Sequence, residues 1–272
     1  MDRTERDEEI LGEGGVTRVV RVGATVRRPV RSFTATVQAY LAHLHARGFH
    51  GAPEPLGYDG EGREVLSFVV GDVPVEPLPD GVTGSEVLVA LASLIRDLHD
   101  AAEGWAPPPS AVWGSIPGAR PVGFVPEPGE PELVSHQDYC PGNVVFRLQV
   151  PVAFIDFDLA RPTTRVADLV NALYWWAPLL DPADRAPALR EVDVARRVRA
   201  FADAYGMTAE QRALVVPSAR RRAHNVTLTM RAAAGADPVF RRWWDAGLEA
   251  RLARADAWLR REAGTIDSRV RD

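Results

Sequence analysis

Four polar residues in the middle of the chain have types and spacings that suit phosphoryl transfer to a hydroxyl. His136, Asp138 and Asn143 share one loop, and Asp156 lies thirteen residues beyond Asn143 at the end of an apolar segment. Such a reaction needs a base beside the attacking hydroxyl, and the carboxylate of Asp138 can serve as one. It also needs hard oxygen ligands for Mg²⁺, and Asn143 and Asp156 offer one neutral and one charged ligand. A metal ion on the phosphates neutralises charge that would repel the nucleophile.

The same residues have a structural explanation, which is an Asp–Asn turn followed by a carboxylate that caps the end of a strand. The order of four fixed residues in a strand–loop–strand context favours the phosphoryl-transfer interpretation. Neighbouring residues are weaker candidates for chemistry. Asp158 suits either a second metal ligand or a partner for a loop N–H. Asp168 is expected to be a structural brace, and His136 a hydrogen-bonded loop histidine.

All 32 basic residues among the 272 of the chain are arginines. The absence of lysine excludes a phosphate-binding loop of the G-x-x-x-x-G-K-[ST] type and every mechanism that uses a Schiff-base lysine. A group that grips phosphate must therefore be an arginine, a metal ion or a backbone N–H. The single cysteine, Cys140, excludes a disulfide framework and cysteine-rich metal centres.

The charge pattern and hydropathy argue against nucleic-acid and membrane partners. The net charge is −5, although residues 218–272 contain 12 arginines against 7 acids. These arginines are interleaved with Trp, Leu and Ala at helical spacing, which is typical of a solvated helix face. No segment approaches the roughly 18 uninterrupted apolar residues of a membrane span, and the charged N-terminus has no apolar run of a secretory signal. We therefore expect a cytoplasmic protein.

The spacing of apolar residues predicts a small α/β unit followed by a larger, mainly helical one. The first unit has strands at 16–22, 25–28, 53–58 and 63–69 and a helix at 34–47. A break at Gly71-Asp72 follows. The second unit has helices at 84–102, 165–176, 185–205, 209–234 and 238–261, with short strands at 133–135, 144–147 and 152–157. Between them, 107–131 is an extended loop in which 8 of 25 residues are proline.

Together these features resemble the aminoglycoside phosphotransferase family, which comprises small-molecule kinases with a protein-kinase-like fold. The resemblance extends over nearly the whole chain. Its specific motifs are His136 to Asn143 and Ile155 to Asp158. The supporting motifs are Gly14-Gly15, Arg27 to Pro29, Gly62 to Gly71, Leu98-His99-Asp100 and the helix with Asp168. The resemblance implies an α+β, two-lobed fold with a β-rich nucleotide-binding lobe at 1–70 and a helical catalytic and acceptor lobe at 71–272.

The resemblance also implies roles for individual residues. Asp138 would be the catalytic base, and Asn143 and Asp156 would bind Mg²⁺. The purine of ATP or GTP would meet the backbone of a hinge formed by Ser67, Phe68, Val69 and Val70.

The arginine that contacts phosphate is predicted from strand alternation. Kinases place a lysine on the third strand of the small lobe, facing the phosphates. In 25–28, Thr25 and Arg27 share one face and Val26 takes the other, so Arg27 is expected to contact the phosphates and Arg28 to point elsewhere. The alternative is that both arginines are simply solvated.

Kinases also orient this cation with a glutamate on the next helix. No acid lies between Glu13 and Glu54, so the predicted helix offers only Gln38 and two histidines. The missing glutamate keeps a nucleotide-binding pseudokinase without turnover as an alternative, which the intact set of Asp138, Asn143 and Asp156 opposes.

The predicted reaction is transfer of the terminal phosphate of ATP or GTP to a hydroxyl of an aminoglycoside-like acceptor. A cationic acceptor is favoured by four acids expected near the site, Asp181, Asp184, Glu191 and Asp193. The alternative within enzymes is a kinase for another small hydroxyl compound, such as choline, homoserine, a sugar or a macrolide.

Overall fold

The N-terminal part of the chain forms one antiparallel sheet with a helix beside it. The computed structural model describes residues 8–11, 19–75 and 78–272. The five strands have the order β1-β2-β3-β5-β4. Their bounds are Glu9–Ile10 (β1), Val20–Val22 (β2), Thr25–Arg28 (β3), Pro55–Tyr58 (β4) and Glu64–Ser67 (β5), and the helix α1 is Thr34–Ala46.

Four of these strands and the helix agree with the sequence predictions. The strand β1 was not predicted, because two residues are too short to show a period. The motif residues Gly14 and Gly15 lie outside the described residues.

The helix α1 joins the small sheet to the rest of the molecule. Val37, Leu41 and Leu44 recur at helical spacing and are buried, as their pattern predicts. Tyr40 on the same face is also buried, and its hydroxyl donates a 2.7 Å hydrogen bond to the carbonyl of Val134. The segment that leads to the loop at 136–143 is therefore tied directly to α1.

A single glycine allows the chain to leave the small sheet and cross to the second part. Asp72 and Phe146 exchange two backbone hydrogen bonds of 2.8 Å just after this crossing. Gly71 has φ 151°, and a Cβ atom there would lie 2.5 Å from the carbonyl oxygen of Phe146. Only glycine fits this approach without a shift of the backbone.

The second part is mainly helical, with two small antiparallel ribbons. Its helices are Ser85–Ala102 (α2), Arg165–Trp176 (α3), Val194–Tyr205 (α4), Ala209–Ala236 (α5), Pro238–Trp243 (α6) and Glu249–Arg271 (α7). The ribbons pair Leu133–Ser135 (β6) with Arg161–Thr163 (β9), and Val144–Arg147 (β7) with Val150–Phe154 (β8). Buried Leu88, Leu91, Ile95 and Leu98 place α2 at the centre of the core. Within the described residues, no helix is both long and apolar enough to cross a bilayer.

Two predicted helices differ from the observed ones, because one begins later and the other is broken in the middle. The predicted helix at 185–205 begins only at Val194, where the Asp193 side chain accepts from the N–H of Arg196 and caps it. Two short 3₁₀ turns, each with a proline in its first turn, precede it. The predicted helix at 238–261 is broken by a π turn at Trp244–Leu248, where Gly247 has φ 103°.

Candidate active site

The loop between β6 and β7 and the end of β8 bring the predicted catalytic and metal-binding residues together. Asn143 Nδ2 donates two hydrogen bonds of 3.0 Å, one to the carbonyl of Asp138 and one to its Oδ2. The N–H of Ile155 donates to the carbonyl of Asn143 at 2.9 Å. Ile155, the residue before Asp156, is therefore hydrogen-bonded to the loop that carries Asp138, which places Asp156 beside that loop.

Asp156 has a backbone conformation that is uncommon for a residue with a side chain. Its φ and ψ are 62° and 66°, in the left-handed region, and its side chain keeps 54% exposure. Such conformations persist where the surroundings enforce them, and they are frequent at functional sites. Desolvation raises the pKa of Asp156, and the charge of Asp138 adds to the rise while Arg28 opposes it. A cation beside Asp156 would therefore stabilise its charged form.

The oxygen donors around Asp156 fit a magnesium ion. Because Asn143 directs its amide nitrogen to Asp138, its Oδ1 is the atom left for a ligand. Asp156 and Asp158 add carboxylate oxygens nearby. In the described part of the chain no three His, Cys, Asp or Glu side chains form a metal cage. Mg²⁺ is commonly held by one or two carboxylates plus phosphate and water, so the donor set suits it.

A buried carboxylate beneath the loop keeps the loop in shape. Asp168 of α3 is fully buried and accepts hydrogen bonds from His99 Nε2 at 2.7 Å, Ser135 Oγ at 2.8 Å and Tyr139 Oη at 2.6 Å. Gln137 adds two more, from its backbone N–H at 3.0 Å and its Nε2 at 2.6 Å. Burial alone would raise the pKa of Asp168, but these hydrogen bonds, His99 foremost, outweigh it and lower the pKa. The residue is a structural brace, as predicted.

Two further side chains of α3 hold the loop backbone. Asn171 accepts from the N–H of Tyr139 and donates to the carbonyl of Gln137, both at 2.9 Å. Trp176 Nε1 donates to the carbonyl of Tyr139 at 2.8 Å. Gln137 has φ 66°, in the left-handed region, and these contacts stabilise that conformation. Neither Asn171 nor Trp176 stands out in the sequence, because residues at this helical spacing are typical of an ordinary buried face.

His136 is fixed as a neutral ring. Its Nε2 lies 2.8 Å from the carbonyl of Ile155, and its Nδ1 accepts from the N–H of Asp138 at 3.2 Å. A ring that donates through Nε2 and accepts through Nδ1 carries one proton. Burial lowers the pKa of His136, although Asp138 partly opposes this. The residue is a hydrogen-bonded loop histidine, in agreement with the prediction.

The predicted orientation of the two arginines on β3 is wrong. Arg28 is buried and forms a hydrogen-bonded ion pair with Glu64 of β5. Its Nη1 also lies 2.6 Å from Asp158 Oδ1 and 3.5 Å from Asp156 Oδ1. Arg27 instead lies 3.4 Å from Asp59 Oδ2. Strand alternation separates two faces but does not say which of them meets the cleft, and here the face of Arg28 does.

The acid that pairs with this arginine comes from a strand rather than from a helix. Glu64 lies opposite Arg28 across the β3–β5 pair and is fully buried. Gln38 of α1 donates from Nε2 to Glu64 Oε1 at 2.9 Å. Burial opposes the charge of Arg28, but Asp158, Glu64 and Asp156 together raise its pKa. The available signal for Glu64 was its position at the start of a strand, directly before the apolar pair Val65 and Leu66.

In the predicted hinge, some backbone N–H and C=O groups form hydrogen bonds within the protein and others do not. The N–H of Ser67 donates to Glu54 and that of Phe68 to Ala24, each at 2.9 Å. Arg147 Nε donates to the carbonyl of Val70 at 2.7 Å. Among the described residues, no hydrogen bond engages the N–H of Val69 or Val70.

Three of the four acids expected to favour a cationic acceptor have other partners. Asp184 forms a two-point ion pair with Arg254, and Asp181 lies 3.3 Å from Arg261. Asp193 is the cap of α4. These three acids therefore give no support to a cationic acceptor.

Comparisons with known proteins identify the family of the chain. A model of the APH phosphotransferase enzyme family matches residues 109–205. The trifolitoxin immunity protein of Rhizobium leguminosarum bv. trifolii is 34% identical over 211 residues, which cover 76% of this chain and 77% of that protein.

Two solved structures illustrate the shared fold. A choline/ethanolamine kinase family protein of Mesorhizobium loti has a TM-score of 0.64 at 18% identity, covering 99% of this chain and 94% of its own. Amicoumacin kinase hAmiN, solved with AMP-PNP, Ca²⁺ and Ami, has a TM-score of 0.63 at 12% identity, covering 96% and 88%. These likenesses confirm the α+β, protein-kinase-like fold. With the sequence relative, the family match and the H-x-D-x-x-x-x-N loop in place, the chain belongs to the aminoglycoside phosphotransferase family of phosphotransferase enzymes.

Proposed function

We propose that this small-molecule phosphotransferase transfers the terminal phosphate of ATP or GTP to a hydroxyl group that is bound against Asp138. The observation that carries the proposal is that the Asn143 amide is hydrogen-bonded to Asp138, and the Asn143 carbonyl to the N–H of Ile155, the residue before the exposed Asp156. Phosphoryl transfer needs a base and oxygen ligands in this arrangement, and little else from the protein.

Each residue has one role in this proposal. Asp138 accepts the proton of the acceptor hydroxyl, and Asn143 keeps that carboxylate oriented through its amide. Asn143 and Asp156 would hold Mg²⁺, which supplies charge neutralisation on the phosphates. Arg28 contacts the phosphates, because its guanidinium already lies beside Asp156 and Asp158.

The nucleotide is placed by the lobe at 1–70 and its hinge. The N–H groups of Val69 and Val70 are the hinge donors available to the purine, while those of Ser67 and Phe68 support the sheet. The structure of amicoumacin kinase hAmiN, a complex with AMP-PNP, Ca²⁺ and Ami, supports a nucleotide and a divalent cation in this fold. Arg27 stays with Asp59 and takes no part.

The acceptor is proposed to be a hydroxyl-bearing antibiotic or toxin. The relative named as an immunity protein supports this class, since phosphorylation of a hydroxyl is a direct way to inactivate such a compound. An aminoglycoside is one member of the class. The pseudokinase alternative loses its support, because Glu64 supplies the acid that α1 lacks.

The test is a screen of nucleotide consumption against hydroxyl compounds, with ATP and GTP in parallel and Mg²⁺ present. Asp138→Asn keeps the shape of the side chain but removes the base, so turnover should fall by about two to four orders of magnitude. Asp97→Asn changes an exposed aspartate of α2 and serves as the matched control. The proposal fails if no acceptor accelerates consumption, or if Asp138→Asn turns over as fast as Asp97→Asn.

A further inference from the structure

Arg21 of β2 lies on the same face of the small sheet as Arg28. Residues at positions i and i+2 of a strand share a face, so Val26 and Arg28 point to one side of β3. Arg21 lies directly opposite Val26 across the β2–β3 pair, and directly opposite residues of neighbouring strands also share a face. Arg28 contacts Asp158 on this face. Arg21 therefore belongs to the face that meets the proposed metal and phosphate site.

The guanidinium of Arg21 packs against the predicted hinge. Its central carbon lies 4.0 Å from the centroid of the Phe68 ring, which is a cation–π contact. Arg21 Nε donates to the carbonyl of Gly23 at 2.9 Å, so the side chain is also held from β2 itself. The exposed carboxylate of Glu9 lies 3.6 Å from Nη1, which makes a weak ion pair. The Arg21 side chain keeps 37% exposure, so part of it is open to a ligand.

The two arginines of this face stand at the two ends of the proposed nucleotide site. Arg28 lies beside Asp156 and Asp158, where metal and phosphate are proposed to bind. Arg21 lies beside the hinge, whose N–H groups are proposed to meet the purine. Val26, opposite Arg21, is two residues from Arg28, which is about 7 Å along a strand. A nucleoside triphosphate likewise has its base at one end and its phosphates at the other.

The surroundings of Arg21 suit a flat aromatic ligand better than a phosphate. A guanidinium is planar and stacks on aromatic rings, and nucleobases stack on arginine planes in the same way. Val26 is half-buried and Leu66 lies opposite it, so the sheet beside Arg21 offers an apolar surface. The phosphates, by contrast, are already served by Arg28 and the metal in the proposed site.

We propose that Arg21 binds the purine base of the nucleotide by stacking its guanidinium on the ring, while the N–H groups of the hinge contact the edge of the base. This inference rests on the proposed function and names a base-binding residue within it. Arg21 contributes to the affinity for the base, and Arg28 to the affinity for the phosphates.

The experiment separates the base from the phosphates. Dissociation constants for ATP and GTP are measured by calorimetry with Mg²⁺ present. The constant for tripolyphosphate, which has no base, is measured by its displacement of the tighter nucleotide. The variant Arg21→Gln is compared with the matched control Arg27→Gln, which changes the arginine on the opposite face of β3, beside Asp59. Arg28→Gln serves as the comparison for a phosphate contact.

We expect Arg21→Gln to raise the dissociation constant of the tighter nucleotide by about five- to a hundredfold, the usual range for the loss of a stacked base contact. The constant for tripolyphosphate should stay at its parental value, which also shows that the variant is folded. Arg28→Gln should raise both constants, and Arg27→Gln should leave both unchanged. If tripolyphosphate displaces no nucleotide, the affinity for the nucleoside decides. A loss in Arg21→Gln but not in Arg28→Gln supports the inference, and the reverse refutes it.

The inference is overturned, with the proposed function intact, if Arg21→Gln binds the nucleotide as tightly as Arg27→Gln does. It is also overturned if Arg21→Gln weakens the nucleotide and tripolyphosphate by the same factor, since the arginine then acts through its charge on phosphate. A parent protein that binds neither ATP nor GTP refutes both the inference and the proposed function. A parent that binds nucleotide through Arg21 but transfers phosphate to no acceptor refutes the proposed function alone.

Discussion

The loop at 136–143, which carries the proposed catalytic base, rests on buried hydrogen bonds from α3, whereas the residues proposed to bind metal and phosphate are held by ion pairs that cross from the small sheet. The first set, which we call the brace, consists of Asp168, Asn171 and Trp176. The second set, the ionic cluster, consists of Arg28, Glu64, Asp156 and Asp158. Both sets contain charge, but only the ionic cluster includes a half-exposed carboxylate.

The two sets differ in whether binding of a ligand can change their contacts. The donors and acceptors of the brace satisfy one another, so it keeps its geometry whether or not substrates are bound. In the ionic cluster, Arg28 neutralises the same carboxylates that would bind Mg²⁺. When Mg²⁺ and a nucleotide bind, the carboxylates would therefore contact the metal ion, and the guanidinium of Arg28 would contact phosphate. Substitutions in the brace should thus affect stability, and substitutions in the ionic cluster should affect ligand binding.

The largest expected effect is that of Asp156→Ala. The metal loses its charged ligand, so we expect transfer to be abolished and Mg²⁺-dependent nucleotide binding to weaken. Because the Asp156 side chain is half-exposed, stability should change little. Turnover, nucleotide affinity at several Mg²⁺ concentrations and the urea midpoint give the three readouts. An Asp156→Ala protein that binds Mg²⁺-nucleotide as tightly as the parent would refute the assignment.

Asp168→Ala should show the opposite pattern. Removing the carboxylate leaves the donors of His99, Ser135 and Tyr139 buried without their acceptor. Breaking a buried charged network by removing one partner costs about 3–5 kcal/mol, which we expect in the free energy of unfolding measured with urea. A midpoint like that of the parent would mean that the brace carries no stability, and the comparison between the two sets would fail.

The sequence predicted that the residues proposed for catalysis and metal binding lie close together, because the information for this is local. Asp138, Asn143 and Asp156 are separated by fixed numbers of residues between recognisable strands, and their spacing alone brings them together. The partner of Arg28 could not be predicted in this way. Glu64 meets it only through the pairing of β3 with β5, which joins residues 36 apart in the chain. The same long-range pairing decides which face of β3 meets the cleft, so alternation alone selected the wrong arginine.

The next effect compares those two arginines directly. Arg28→Gln keeps a donor for Glu64 but removes the charge, and loss of one charge-assisted phosphate contact costs about 1.5–3 kcal/mol. We expect nucleotide affinity or turnover to fall by the corresponding one to two decades. Arg27→Gln should change nucleotide affinity by no more than about half a kcal/mol, because Arg27 lies beside Asp59 and not beside Asp156 or Asp158. Nucleotide dissociation constants for both variants provide the test, and a larger loss at Arg27 would restore the orientation that strand alternation predicted.

The smallest expected effect is a pH dependence of stability that belongs to the catalytic loop. Burial lowers the pKa of His136 in the folded protein below its unfolded value of about 6.5, so folding favours the neutral ring. The stability that the neutral ring contributes is therefore present above about pH 6.5 and is lost as the pH falls towards the folded pKa, by at most about 1.4 kcal/mol per pH unit. Urea unfolding between about pH 7 and pH 5 measures this slope. His136→Gln should make the slope shallower, and His50→Gln, which changes an exposed histidine, should leave it as steep as in the parent. If both variants keep the parental slope, His136 is not the group that titrates, and the acid sensitivity of the fold lies outside the catalytic loop.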